Sequence, residues 1–418
     1  MAVQQSRGIL RIHPTPLASS SRDALDRIER FNAGREPERL ALKYREMCKT
    51  PFAFFRGTAH LFWEDLAARR SALPDGPLVW ACGDLHFENF GSFQGDNGLS
   101  YFDLNDFDES ALAPATWEVS RFVASAYVAA PTLDLVLTDM NELVNVFLDA
   151  YQAALADGKA RWIERATASG MVRNLLRRVS KQTREMLVNS RTIWKKGKRR
   201  ILIDDARALP VTDSQRTNVT RRLDEFAKSQ PDIDFFRVLD VARRVAGLGS
   251  LGLERYIVLV QGTGGRDGSA LLDAKQVAPS SLARWERLRQ PAWKSEADRV
   301  VAIQKRMQAI APALLHAKRI GRGGYVLHEL QPTNDRLSLK DARGNQRRLR
   351  SAAKAMGRLI AWAQLRSSGR QGSATADELI AFAGASGWKR RIIDYGRSYE
   401  TQVRQDYKRF VEAQEQRG

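Results

Sequence analysis

Leu78-Val79-Trp80-Ala81-Cys82 is an unbroken apolar run that leads straight into Gly83-Asp84. A short apolar run bounded by a turn, here Pro74-Asp75-Gly76-Pro77, predicts a buried strand. Beyond it, Asn89–Phe93 and Leu99–Asn105 flank Gln94-Gly95-Asp96-Asn97-Gly98, which predicts a β-hairpin. Upstream, Leu40, Leu42, Tyr44 and Met47 point to a short helix from Pro37, and Thr58–Ala72 has a helix-like pattern. Downstream, a long helical region is expected from Pro114 through Leu155. Residues 160–235 read as mainly helical, interrupted by the basic cluster Lys195–Arg200 and by Ile201-Leu202-Ile203.

The pattern then changes period. Arg255–Val260, Ala270–Val277 and Gly324–Leu330 read as strands, the last stopped by Gln331-Pro332. Between them Ser295–Ile310 is amphipathic, with Val300, Ile303, Met307 and Ile310 on one side. Ala352–Leu365 and much of 376–414 are helical. No internal repeat or low-complexity tract is present. The expected organisation is an arm over 1–35, a mainly helical segment over 36–235, a β-rich unit over 236–335 and a helical segment over 336–418.

Composition narrows the class. The 418 residues are 43% hydrophobic and 28% charged, ordinary values for a globular protein with a sizeable core. The formal net charge of +19 favours polyanionic partners: nucleotides, nucleic acids or anionic membrane surfaces. The densest cluster, Lys195-Lys196-Gly197-Lys198-Arg199-Arg200, reads in the first instance as a solvated basic loop. Two cysteines, Cys48 and Cys82, exclude a four-cysteine zinc site and make a disulfide framework unexpected. No apolar run of signal-peptide or membrane-spanning length occurs, so a cytoplasmic location and no membrane span are expected.

The chemistry concentrates in Gly83-Asp84-Leu85-His86-Phe87-Glu88-Asn89-Phe90 and in Tyr101–Glu109, which contains Asp103, Asp106-Phe107-Asp108 and Glu109. Carboxylates and an amide at strand ends suit a hard cation such as Mg²⁺. Phe52–Gly57 is an aromatic core segment whose Arg56 can snorkel, or hold a phosphate or carboxylate. Glu118 is either an anchor for the acidic segment or an exposed helix acid. A second informative stretch is Gly247-Leu248-Gly249-Ser250-Leu251-Gly252, a G-x-G-x-x-G between two β-rich segments. A dinucleotide fold requires a helix after such glycines, and here a strand is predicted. A glycine-rich hairpin that covers nucleotide phosphates fits better, with Lys275 on the next strand to neutralise their charge.

Asp84 and Asn89 have the spacing of the base and the metal-binding amide in the kinase catalytic loop H-R-D-x-x-x-x-N, and Asp106-Phe107-Asp108 resembles D-F-G. The segment specifically resembles the G-D-x-H-x-x-N loop of the aminoglycoside-phosphotransferase branch of kinase-like proteins. Over most of its length the chain also resembles the DUF2252 family of uncharacterised bacterial proteins. The matching pieces are Phe52–Gly57, Gly83–Phe90, Asn105–Glu109, Asp273–Lys275, Arg299–Gln308 and Ala361–Gly369. Gln364 stands where that family usually has a His.

The resemblance implies an α+β, protein-kinase-like two-lobed fold in permuted order, with a large helical lobe first and a small β-rich lobe late. It implies an ATP- and Mg²⁺-dependent phosphotransferase acting on an unidentified hydroxyl acceptor. Asp84 would orient or deprotonate the acceptor, with His86 bracing the loop more than acting as base. Asn89 and Asp106 would hold Mg²⁺, with Asp108 and Asp103 as further ligands. Gly247, Gly249, Ser250, Gly252 and Lys275 would bind the nucleotide. Glu296, and after it Glu286, is the expected acidic partner of Lys275. The alternatives are nucleotidyl transfer at the same site, or a degenerate module that binds nucleotide or nucleic acid through its basic surface, ranked below the enzyme.

Overall fold

The computed structural model describes residues 23–417 apart from 70–71, 266–267, 286–288, 322, 332–336 and 338–341. Most of the arm over 1–35, and Glu286, therefore lie outside the described residues. The fold is mixed α+β. It opens with four short helices: α1 (Ala24–Asn32), α2 (Pro37–Met47), α3 (Pro51–Gly57) and α4 (Ala59–Ala68). Thr50 caps α3 by accepting the Ala53 N–H at 3.0 Å, and Pro51 at its first position has no amide to leave unpaired. The aromatic run is thus helical, with Phe52, Phe54 and Phe55 buried.

The predicted strand and hairpin follow as β1 (Leu78–Ala81), β2 (Phe90–Gln94) and β3 (Ser100–Leu104); β4 (Ala111–Pro114) closes on β1. The long helical region expected from Pro114 is helical and consists of two helices: α5 (Ala115–Ala129) and α6 (Leu137–Asp157). Pro131 sits in the intervening 3₁₀ turn, and Asp134 adopts a left-handed φ of 53°. All of α5 is buried. Its small residues permit this, and Ser120 and Ser125 donate to Trp117 and Phe122 carbonyls of their own helix.

Next come β5 (Ile163–Glu164), α7 (Gly170–Val179) and α8 (Arg184–Arg191). The basic cluster proves to be a two-stranded ribbon, β6 (Thr192–Lys195) and β7 (Lys198–Ile201), turned by Lys196 and Gly197 at positive φ. β8 (Ala208–Leu209) and α9 (Asp213–Ala227) lead into β9 (Val238–Arg244), β10 (Arg255–Val260) and β11 (Ala270–Gln276). α10 (Ser281–Trp285) and α11 (Glu296–Met307) precede β12 (His316–Ile320) and β13 (Gly323–Glu329). The chain ends with α12 (Gln346–Arg366), α13 (Ala376–Gly384) and α14 (Trp388–Glu415).

Strands β8 to β13 build one antiparallel sheet of order β12-β13-β11-β10-β9-β8. Alternation gives it two faces. Tyr256, Val258, Leu272 and Tyr325 pack under α9 through Val219, Leu223 and Phe226. The other face is apolar at one end, where Ile257, Leu259 and Leu271 meet Val188 of α8 and Ile201. At its opposite end it carries charge. The helical body packs α12 on α6 and α14 on α5. A Cβ at Gly357 would lie 2.3 Å from the Phe147 carbonyl, so only glycine allows α12 this approach to α6.

Candidate functional site

The apolar strand β1 delivers Gly83 and Asp84 to the edge of the helical body. Gly83 has φ +81°, and a Cβ there would lie 1.9 Å from the Glu109 carbonyl, so the turn requires glycine. Glu118 is buried on α5, and its carboxylate accepts the Cys82 N–H at 3.1 Å and the Gly83 N–H at 3.3 Å. One turn later on the same helix, Arg121 donates to Asp84 Oδ1 from Nε at 3.1 Å and Nη2 at 2.7 Å. Burial raises the Asp84 carboxyl pKa above the ordinary value, and Arg121 works against that rise. Glu118 and Arg121 thus fix the segment and its acid from below.

His86 Nδ1 accepts the Glu88 N–H at 3.1 Å, so the neutral ring is assigned its proton on Nε2. That nitrogen lies 3.8 Å from Asp84 Oδ2. His86 is buried with its ring edge-on to Phe52, in the position of a brace. Arg56 of α3 pairs with Glu88. Asn89 clamps the two acidic stretches together. Its Nδ2 donates to the Asp84 carbonyl at 3.1 Å and the Asp106 carbonyl at 3.2 Å, and its Oδ1 accepts the Asp106 N–H at 2.7 Å.

The charged end of the sheet meets this segment. Lys275 Nζ lies 3.2 Å from Asp106 Oδ1 and 2.6 Å from Asp108 Oδ2. Burial alone would depress the Lys275 ammonium pKa, but Asp106 and Asp108 outweigh it and hold it above the ordinary lysine value. Burial, reinforced by Asp106, pushes the Asp108 carboxyl up. Glu296 is not the partner of Lys275. It sits in the first turn of α11 and pairs with Arg299 at 2.7 Å, one turn along its own helix. Arg299 in turn reaches the Asp108 carbonyl at 2.8 Å and Ser110, bracing the acidic turn from the helix side.

Two residues before Lys275, on the same face of β11, Asp273 is fully buried against Arg244, Arg255 and His328. Burial would raise its carboxyl, yet Arg244 and Arg255 hold it far below the usual carboxylate range. The glycines connect β9 to β10, so a strand follows them, as the hairpin reading requires. Gly247, Gly249 and Ser250 line a recess together with Asp84, Asn89, Asp106 and Asp108. A second recess, lined by Lys275, Arg255 and Asp273, shares Asp106, Asp108 and Gly247 with it. Gly252 stands back from both, against Arg35 at the start of α2. Arg35 Nη1 donates to the Gly249 carbonyl at 2.9 Å and the Leu251 carbonyl at 2.7 Å, pinning the loop.

Asp103 does not join this group. Strand alternation turns it away, and its carboxyl, pushed up to about 6 by burial, faces Arg366 and the Leu104 and Ala309 amides. Gln364 accepts from the Tyr151 hydroxyl at 2.6 Å inside the helical body. Sequence reasoning gave no role to Arg121, Arg299 or Arg255, and placed Glu109 in the acidic stretch without its partner: the Glu109 carboxylate accepts from Ser281 at 2.6 and 2.7 Å. A lone Arg three positions after Glu118 in an otherwise apolar helix was the available signal for Arg121.

Among the described residues no group of three or more His, Cys, Asp or Glu could hold a metal ion alone. A phosphate-borne Mg²⁺ requires only one or two protein carboxylates. Asp106 and Asp108 supply two that already converge on one positive charge, so the donor set fits.

The class so defined is a mixed α+β protein with an acid-lined cleft between a helical body and a lysine-bearing antiparallel sheet. The model of DUF2252, an uncharacterized protein conserved in bacteria, matches residues 35–413, and the chain belongs to that family. No curated protein and no solved structure matches the chain.

Proposed function

We propose that this protein is a kinase-like phosphotransferase that uses ATP and Mg²⁺ and transfers phosphate to a hydroxyl acceptor. In this reading the sheet is the small lobe of a two-lobed, permuted kinase-like fold, and the helical body the large one. One observation carries it: Lys275, two strands on from β9 and the glycine loop, reaches both Asp106 and Asp108 of the acidic turn. Glycine loop, lysine strand and helix α11 also follow one another in the order of a kinase small lobe.

The amides of Gly247–Ser250 and the Lys275 ammonium bind the phosphates. Asp106 and Asp108 would hold Mg²⁺, with Asn89, whose Oδ1 accepts the Asp106 N–H, keeping the acidic turn in place; when bound, the ion would supply charge neutralisation for the phosphates. Asp84, held by Arg121 through Oδ1, presents its carboxylate to the acceptor hydroxyl and takes its proton. The raised Asp84 pKa makes it a better base than an exposed aspartate.

The test is incubation with ATP labelled at the α- or γ-phosphate, Mg²⁺ and a cell extract freed of nucleotide, followed by mass spectrometry of labelled products. γ-Label transfer, lost by roughly 10²- to 10⁴-fold in Asp84→Asn with ATP binding retained, is expected. Transfer of the α-label would make the enzyme a nucleotidyl transferase instead. Labelling unchanged in Asp84→Asn would remove Asp84 from the mechanism.

A further inference from the structure

The basic charge has its own structure, outside the cleft. From Arg184 to Ile203, α8 and the β6–β7 ribbon carry seven Lys or Arg and a single acid, Glu185. The run ends at Asp204. This unit is also where apolar side chains are left in water. Of the eleven large hydrophobic side chains exposed among the described residues, Met186, Ile193, Trp194, Leu202 and Ile203 lie here, Trp194 at 53% exposure. Ile193, Leu202 and Ile203 line one groove with Lys195 and Arg200. The turn lysines Lys195, Lys196 and Lys198 are exposed, whereas Arg199 is buried and Arg200 is tied to the Leu239 carbonyl at 2.8 Å, docking the ribbon on β9.

Three partner classes use such a surface differently. A nucleic acid would take up the positive charge, but its interfaces are strongly polar, and four exposed aliphatic side chains would go unused. A protein partner would bury the apolar residues, but interface cores are depleted in lysine. An anionic bilayer uses both. Lysines meet headgroup phosphates while the groove residues Ile193, Leu202 and Ile203 enter the headgroup–acyl boundary. No helix among the described residues is long and apolar enough to cross a membrane, so any such contact is peripheral.

We infer that the α8–ribbon unit docks this protein on an anionic phospholipid surface. The inference does not rest on the proposed phosphotransfer. Its readout is co-sedimentation of the full chain with phosphatidylglycerol–phosphatidylcholine vesicles and with pure phosphatidylcholine vesicles. Binding to the anionic vesicles alone, weakened by salt, is expected. Combined Lys195→Gln, Lys196→Gln and Lys198→Gln should lose roughly 100-fold in affinity, on the order of fivefold per lysine. Ile193→Ser with Ile203→Ser should also weaken binding, by about tenfold or more. All five positions are exposed, and an unchanged circular dichroism spectrum verifies folding. Equal sedimentation with both vesicle types, or lysine variants that bind like the parent, would overturn the inference. So would an apolar double variant that binds vesicles unchanged while a single-stranded oligonucleotide competes; that result would assign the surface to nucleic acid.

Discussion

Two charge clusters stand two residues apart on the same face of β11, and they are built in opposite ways. Asp273 is fully buried and meets two guanidiniums and an imidazole. Lys275 meets two carboxylates with one ammonium, and the Asp106 side chain is 41% exposed to solvent. In the first, two guanidiniums surround one fully buried carboxylate, which locks β9, β10, β11 and β13 together. In the second, anions outnumber the cation at the mouth of a cleft. A saturated buried network serves the fold. On the proposed reading, a cluster with two carboxylates to one ammonium, open to solvent at Asp106, takes a divalent cation while Lys275 passes to the phosphates that accompany it.

Substitutions that treat the two clusters alike should therefore separate them. Asp273→Ala takes from the half-buried Arg244 and Arg255 the carboxylate they share and should cost about 3 kcal/mol of stability in urea unfolding. If it costs no more than Lys275→Met, the contrast is wrong. If Lys275 binds the phosphates as proposed, Lys275→Met should weaken nucleotide binding by roughly 10²-fold in equilibrium dialysis.

Asp103 provides a third case, a buried acid that lacks the strong cation pairing of Asp273. Its folded pKa of about 6 lies above that of an unfolded aspartate. Between these values the folded state binds more protons, so stability falls as pH rises from about 4 to about 6 and the loss is complete above that range. Asp103→Asn removes this dependence, and the difference in unfolding free energy between variant and parent should move about 2 kcal/mol in favour of the variant over that interval. Parallel curves would contradict the assignment. The smallest effect belongs to Glu296→Gln. Its surface-edge pair with Arg299 should contribute less than about 1 kcal/mol, and nucleotide binding should stay within about twofold.

Most of the acidic segment was legible in the sequence because its determinants are local. An apolar run, a glycine at positive φ and a five-residue turn specify strand, loop and hairpin between Leu78 and Leu104 without reference to the rest of the chain. The glycine hairpin and the Lys275 strand were legible for the same reason. What failed was long-range or depended on one residue's direction. Glu296 lies at a plausible distance along the chain from Lys275, but the helix start turns it toward Arg299. Asp103 lies in β3 and Asp106 beyond its end, so the pleat turns Asp103 away while the turn after Leu104 sets Asp106 toward Lys275. The basic cluster read as a loop because its lysines hide the Thr192/Ile201 and Trp194/Arg199 pairs that make it a ribbon. Strand β12 and the short β4 were missed because single polar or small residues interrupt any apolar alternation.

The central claim is that one cleft, between the glycine loop with Lys275 and the Asp84–Asp106 segment, binds a metal–nucleotide complex. Isothermal titration of ATP with and without Mg²⁺, on the parent chain and on Asp106→Ala, tests it most directly. The account predicts Mg²⁺-dependent binding to the parent, weakened by more than about tenfold in Asp106→Ala. No heat at millimolar ATP and Mg²⁺, or equal binding by both proteins, would contradict it.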